Sequence, residues 1–273
     1  MSLTQSASSN SDNATYAPFI ESDAAASVET LRATMNENGY LFFRGLVPAD
    51  EVLATRREVL QHCADAGWLD TAHDLMQGIA APGHKPLTEG MPEYSAVYRK
   101  ILKTPRFHDF PAHPALMSVA HKLLQSEVFV HPRRIGRVTF PQNIVATTPP
   151  HQDHYYIRGA VETYSCWIPL GECPVELGGL AVWPRSQHNG YIEHTVHSPG
   201  AVGGCGVPVD ESKAVWHTCD FGLGDALFFH SYTIHKAMPN LTTDRLRVST
   251  DNRYQRPKDE IDPGALQPHY GLN

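Results

Sequence analysis

The chain has 273 residues, a formal charge of −7 and sixteen histidines. This length allows one large domain or two small ones and a substantial core, while an acidic balance with no Lys/Arg run longer than two lacks the electrostatic footprint of a nucleic-acid binder. No apolar stretch is long enough to span a membrane, and the Ser/Asn-rich start is not a secretory signal, so a cytoplasmic protein is expected. The five cysteines, Cys63, Cys166, Cys173, Cys205 and Cys219, are scattered without a Cys-x-x-Cys pair, which argues against a disulfide framework or a thiolate zinc site.

In chain order, residues 1–17 lack apolar periodicity and are expected to be a disordered tail, with a single domain over 18–273. "AAASVETLRATMNENG" carries Leu31 and Met35 at helical spacing and stops at Asn38-Gly39; "YLFFRGLV" then reads as a strand. "PADEVLATRREVLQHCADAG" is a second helix, with Pro48 near its start, Asp50 and Glu51 in its first turn, and Leu53, Val59 and Leu60 available for burial. From Trp68 to Pro92 the period is lost, as in a long loop or lid, and "HPALMSVAHKLLQ" resumes a helical pattern. From about Val128 the chain becomes short apolar pieces broken by Gly and Pro: "VFVHP", "IGRVTF", "TYSCWIPL", "GLAVWP", "DALFFH" and "LRVSTDNRYQ". Closely spaced short strands point to an antiparallel sandwich or barrel, on which the helical N-terminal half packs.

Two stretches carry chemistry. In "PPHQDHYYIRG", read as a strand, His151 and Asp153 project to one face while Gln152 points away. An imidazole and a carboxylate make two-thirds of a facial triad, which lacks one histidine from elsewhere in the chain. The bland alternative is a polar strand end whose His and Asp satisfy each other. "GDALFFHSYTIHKAMPN" offers His230 and His235, and "RLRVSTDNRYQ" sets Arg245, Arg247, Ser249, Asp251 and Arg253 on one strand face. Buried arginines are costly unless an anion sits among them, and their fork suits a carboxylate; a solvated edge strand is the alternative.

The ordered set His151-Gln152-Asp153, "CWIPL", "GGLAVWPRSQ", "GDALFFHSYTIHKAMPN" and "RLRVS" resembles the phytanoyl-CoA dioxygenase family of Fe(II)/2-oxoglutarate oxygenases, over roughly residues 28–256. The resemblance implies a mostly β fold with supporting helices, a double-stranded β-helix (jelly roll, cupin-like). It implies Fe(II) on His151, Asp153 and His235, with His230 the rival for the last position. It implies the distal carboxylate of the cosubstrate 2-oxoglutarate on Arg247, paired with Ser249, or alternatively on Arg245. Trp167 matches a tryptophan bordering the cosubstrate in relatives, and Lys100 lies near a lysine that relatives offer to the active site. Ala237 stands where relatives often have a serine. Family members that halogenate lack the carboxylate that Asp153 supplies, so the implied activity is hydroxylation, with 2-oxoglutarate converted to succinate and carbon dioxide.

For the substrate, His154, Tyr155, Tyr156 and Arg158 follow the metal motif, and "HPRRIGR" adds Arg133, Arg134 and Arg137. Trp216 and His217 lie in a late insertion. Lys100, Arg137, Tyr155 and Arg158 are the candidates for substrate contact, and the expected partner is a small polar or anionic molecule, with no nucleic acid and no membrane. Two other functions fit the same residues: a cupin-like metal enzyme that does not use 2-oxoglutarate, and a non-catalytic jelly-roll binding module.

Overall fold

The computed structural model describes residues 14–145, 147–198 and 202–269. Its first element corrects the expected tail: Thr15–Ala17 forms β1, laid parallel on a later strand, and residues 1–13 lie outside the described residues. Helix α1 (Val28–Asn38) buries Leu31 and Met35, and the Ser27 hydroxyl caps it by accepting from the N–H of Thr30. It stops at Gly39, whose φ of 78° is the left-handed cap that a side chain would strain. The chain then passes straight into β2 (Tyr40–Phe43), and α2 (Ala49–Asp65) follows with Val52, Val59 and Leu60 buried. Leu53, expected inside, is exposed, because the helical phase puts Val52 on the buried face instead.

The stretch from Trp68 to Pro92 is mostly irregular, and a helix the sequence reading passed over follows it: α3 (Pro92–Leu102), with Pro92 in its first turn and Tyr94, Val97, Tyr98 and Ile101 buried. Short α4 (Pro105–Asp109) leads to α5 (Pro114–Leu124). Next come β3 (Phe129–Val130), β4 (Ile135–Thr139), the one-turn α6 (Asp153–Ile157), β5 (Tyr164–Pro169), β6 (Leu180–Val182), β7 (Val196–His197) and β8 (Cys205–Gly206). The chain continues with β9 (Val215–His217), β10 (Ala226–His230), β11 (His235–Ala237) and β12 (Arg247–Gln255).

The major sheet runs β2-β10-β5-β12-β3, with β4 also on β12, and the minor sheet runs β1-β9-β6-β11. Because β2 forms an edge of the major sheet, the β core is not confined to the chain beyond residue 128. The two-residue strand period explains how each face is filled. Leu41, Phe43, Cys166, Ile168, Phe228, Val248 and Tyr254 face the helices, while Tyr40, Phe42, Trp167, Leu227 and Phe229 meet Leu180 and Val182 of the minor sheet. These two facing sheets are the layers of a double-stranded β-helix. Asp225, from "GDALFF", fastens its edge: its carboxylate accepts from the Arg44 guanidinium at 2.7 Å and from the N–H groups of Gly45 at 2.9 Å and Gly222 at 2.7 Å.

Candidate active site

On β12 the inward positions are Arg247, Ser249, Asp251 and Arg253, while Val248 and Tyr254 point into the helical core. The polar face therefore opens into the cleft between the sheets. Across it, β11 begins at His235, which makes an isolated antiparallel bridge with His151: each N–H reaches the other's carbonyl at 3.0 Å. The expected strand at His-Gln-Asp is thus one bridge long. Gln152 is still extended, and Asp153 already starts α6. His151 and Asp153 nevertheless share a side of the backbone, because residues 151 and 152 span one extended step.

Gln152, turned away as expected, clamps this loop. Its amide donates to the carbonyls of Gly190 and Tyr232, both at 2.8 Å, and its side-chain oxygen accepts from Ile192 N–H at 2.8 Å. Behind the loop, Gly206 touches Pro149 and Pro150 so closely that an added Cβ would stand 2.5 Å from the Pro150 carbonyl oxygen. Only glycine fits there.

His151, Asp153 and His235 are buried and bring their ligand atoms within 4.8 Å of one another. His151 pairs Nδ1 with the Pro149 carbonyl at 2.8 Å, and His235 pairs Nδ1 with the Thr233 carbonyl at 3.0 Å. A carbonyl only accepts, so each Nδ1 carries the proton and each Nε2 lone pair faces the site. Both Nε2 atoms point at Asp153 Oδ1, from 3.8 Å for His151 and 3.9 Å for His235. Burial and the neighbouring His235 hold the His151 pKa well below the usual histidine range. Burial would raise that of Asp153, but Arg253, His235 and His151 outweigh it and keep the carboxylate ionised. Two imidazoles and one carboxylate are the donor set that suits Fe(II). His230 lies apart from this group, packed against Tyr164 and Tyr232 and accepting from Tyr232 N–H.

Arg247 is buried, donating to the Ser249 hydroxyl at 2.9 Å and to the Thr139 hydroxyl at 2.8 Å, with its Nε unpartnered among the described residues. Its guanidinium lies 5.9 Å from the Trp167 ring centroid. No acidic side chain among the described residues forms an ion pair with it. A cation so placed favours an incoming carboxylate. Arg245 is exposed and sits at an isolated bridge to Ile79, outside the cleft and two residues before β12 begins.

The substrate candidates divide. Arg137 lines the cleft and pairs with Glu89. Lys100 is exposed on α3, off the face that buries Tyr94, Val97 and Ile101, and Tyr94 is the residue of that helix that lines the cleft. Tyr155 and Arg158 also miss it: on a helix, the residues sharing the side of Asp153 are Tyr156 and Ile157, and these are the ones that line the cleft. Tyr155 instead stacks on His194, ring centroids 4.1 Å apart, and Arg158 is exposed. Trp216 is a core residue under the Lys236 ammonium. Sequence reasoning assigned no role to Ser165 or Arg253, both of which contact Asp153, or to Glu89 and His269 in the lining of the cleft. Arg253 had a signal, its even spacing from Arg247; Glu89 and His269 had none.

Among the described residues no helix is long and apolar enough to cross a membrane. The profile of the phytanoyl-CoA dioxygenase (PhyH) family matches residues 35–248. Among characterised proteins, the chain is 29% identical over 252 residues to a 1-deoxypentalenic acid 11-beta-hydroxylase of Streptomyces arenae, covering 88% of this chain and 85% of that protein. It is 26% identical over 258 residues to the enzyme of the same name from Streptomyces exfoliatus, again covering 88% and 85%. The crystal structure of the epimerase SnoN in complex with Fe3+, alpha ketoglutarate and nogalamycin RO superimposes with a TM-score of 0.64 at 20% identity, covering 90% of this chain and 91% of that one.

Proposed function

The chain belongs to the phytanoyl-CoA dioxygenase family, and we propose that this Fe(II)/2-oxoglutarate-dependent dioxygenase hydroxylates an apolar small molecule carrying a carboxylate or similar anion. The observation that carries the reading is the buried His151–Asp153–His235 group in one cleft with an arginine, Arg247, that has no acidic partner among the described residues. A cupin-like metal enzyme without 2-oxoglutarate leaves that buried cation unexplained, and a non-catalytic module leaves the metal donor set unexplained.

When bound, iron with 2-oxoglutarate and O2 supplies the chemistry: the cosubstrate becomes succinate and carbon dioxide, one oxygen atom going to succinate and the other into a substrate C–H bond. The protein's part is positional. His151 and His235, fixed by their Nδ1–H bonds, present Nε2, and Asp153 presents Oδ1. Arg247 takes the distal carboxylate of 2-oxoglutarate beside Trp167, and the packed faces around it keep out water.

The substrate class is supported by the rest of the cleft. Leu87, Ile135, Val138 and Ile157 provide apolar wall, and Arg133 and Arg137 also line the cleft, Arg137 paired with Glu89. The two Streptomyces relatives are named as hydroxylases of an acid. The test is succinate release and a product 16 mass units heavier from a panel of apolar carboxylic acids and their methyl esters, with Fe(II), 2-oxoglutarate and O2. Acids should stimulate turnover and their esters should not; stimulation by neither, or equally by both, refutes the assignment.

A further inference from the structure

The two oxygens of Asp153 share one donor, Arg253 Nη2, and otherwise differ in their partners. Oδ1 faces the Nε2 atoms of His151 and His235, at 3.8 Å and 3.9 Å. Oδ2 accepts from the Ser165 hydroxyl, from Arg253 Nε at 3.2 Å and from Arg253 Nη2 at 2.9 Å, and Nη2 also reaches Oδ1 at 3.1 Å. Arg253 is held in turn by Asp251, whose carboxylate accepts from Nη2 at 3.1 Å and whose carbonyl accepts from Nη1 at 3.3 Å. The register of the major sheet sets Arg253 directly opposite Ser165. A cross-strand pair thus grips one carboxylate oxygen from two sides.

We propose that Arg253, with Ser165, is the positioning residue that makes Asp153 a one-oxygen metal ligand, keeping Oδ2 off the metal. The inference rests on reading His151, Asp153 and His235 as the iron site. A carboxylate free to turn can chelate through both oxygens. Two imidazoles and a single carboxylate oxygen use three of six coordination positions and leave three, enough for a two-point cosubstrate and O2; a chelating carboxylate leaves one too few. The adjacent N–H groups of a planar guanidinium can span a carboxylate as an ammonium cannot, so lysine is a poor replacement. Partners of ligating groups commonly set metal-site properties by 10- to 100-fold.

The test uses Co(II) as the metal, read by visible absorption and calorimetry, followed by 2-oxoglutarate titration, on wild type, Arg253→Met, Arg253→Lys, Ser165→Ala and His235→Ala. Arg253→Met should shift the Co(II) absorption bands and raise the Kd for 2-oxoglutarate by about 10- to 100-fold, with Arg253→Lys recovering part of it. A purely structural role would lower thermal stability and leave the folded protein's spectrum unchanged, which overturns the proposal, as does an unaltered 2-oxoglutarate Kd. Should Arg253→Met not fold, Ser165→Ala decides: shifted bands and weaker 2-oxoglutarate binding support the proposal, and wild-type values overturn it. The underlying site reading fails separately, and the inference with it, if wild type takes up no Co(II) or His235→Ala binds it equally well.

Discussion

Replacing Arg247 by leucine separates what the guanidinium does for a ligand from what it does for the fold. It is buried and spends two nitrogens on the hydroxyls of Ser249 and Thr139, while Nε has no partner among the described residues. Hydrogen bonds to an ionised group contribute about 1.5–3 kcal/mol each. Two of them to the distal carboxylate of 2-oxoglutarate therefore amount to about 3 kcal/mol at the low end, or roughly 150-fold in Kd. The fold responds differently. Burial disfavours this cation and lowers its pKa, so leucine relieves a desolvation cost while leaving the two hydroxyls short of a donor. These effects oppose, and Tm without cosubstrate should move by no more than about 3 °C. The assay is anaerobic calorimetry of 2-oxoglutarate into Mn(II)-loaded protein, with Mn(II) binding itself preserved. Arg245→Leu, on the exposed side of the turn, is the control and should bind 2-oxoglutarate as wild type does. A change of less than roughly 3-fold in Arg247→Leu, or an equal loss in Arg245→Leu, would refute the reasoning.

Two further outcomes concern stability. Asp225→Ala removes the acceptor shared by Arg44, Gly45 and Gly222 and should cost about 3 kcal/mol, a fall in Tm of roughly 6–12 °C; a drop under about 2 °C by calorimetry would show the edge to be held otherwise. Burial lowers the pKa of His131 and of His230 to about 4. The unfolded chain, with histidines near 6.5, therefore takes up these protons first as pH falls, and stability is lost progressively from about pH 6.5 to pH 4. Each group contributes about 2 kcal/mol of that loss by pH 5. Urea unfolding at pH 7 and pH 5 should show the difference shrinking by about that amount in His230→Gln, and an unchanged difference would contradict the assignment.

The sheet pattern was readable because the strand period is short and the pieces are apolar: "YLFFRG", "DALFFH" and "LRVSTDNRYQ" each give both faces. The membership of β2 in the major sheet was not readable, since its partner β10 lies more than 180 residues away and only the closed sandwich selects it. Helix α3 was within reach, with Tyr94, Val97, Tyr98 and Ile101 on one face, but the Gly- and Pro-rich approach masked it. At the site, residue types and order marked His151, Asp153, His235 and Arg247. The error lay in phase. A strand continued past Asp153 turns Tyr155 inward, whereas one turn of helix selects Tyr156 and Ile157; Arg158, chosen for its charge, is exposed. Partners such as Arg253 for Asp153 depend on cross-strand register, which one strand's sequence does not specify.

The strand at Thr15–Ala17 has a practical meaning for handling the protein. Lying parallel along β9, it covers the outer rim of the minor sheet, where the main-chain groups of Val215–His217 would otherwise be open templates for another molecule's backbone. A chain trimmed to begin at Pro18 would keep the whole cleft and yet carry an uncovered sticky rim, so the segment that looks most dispensable by composition guards solubility.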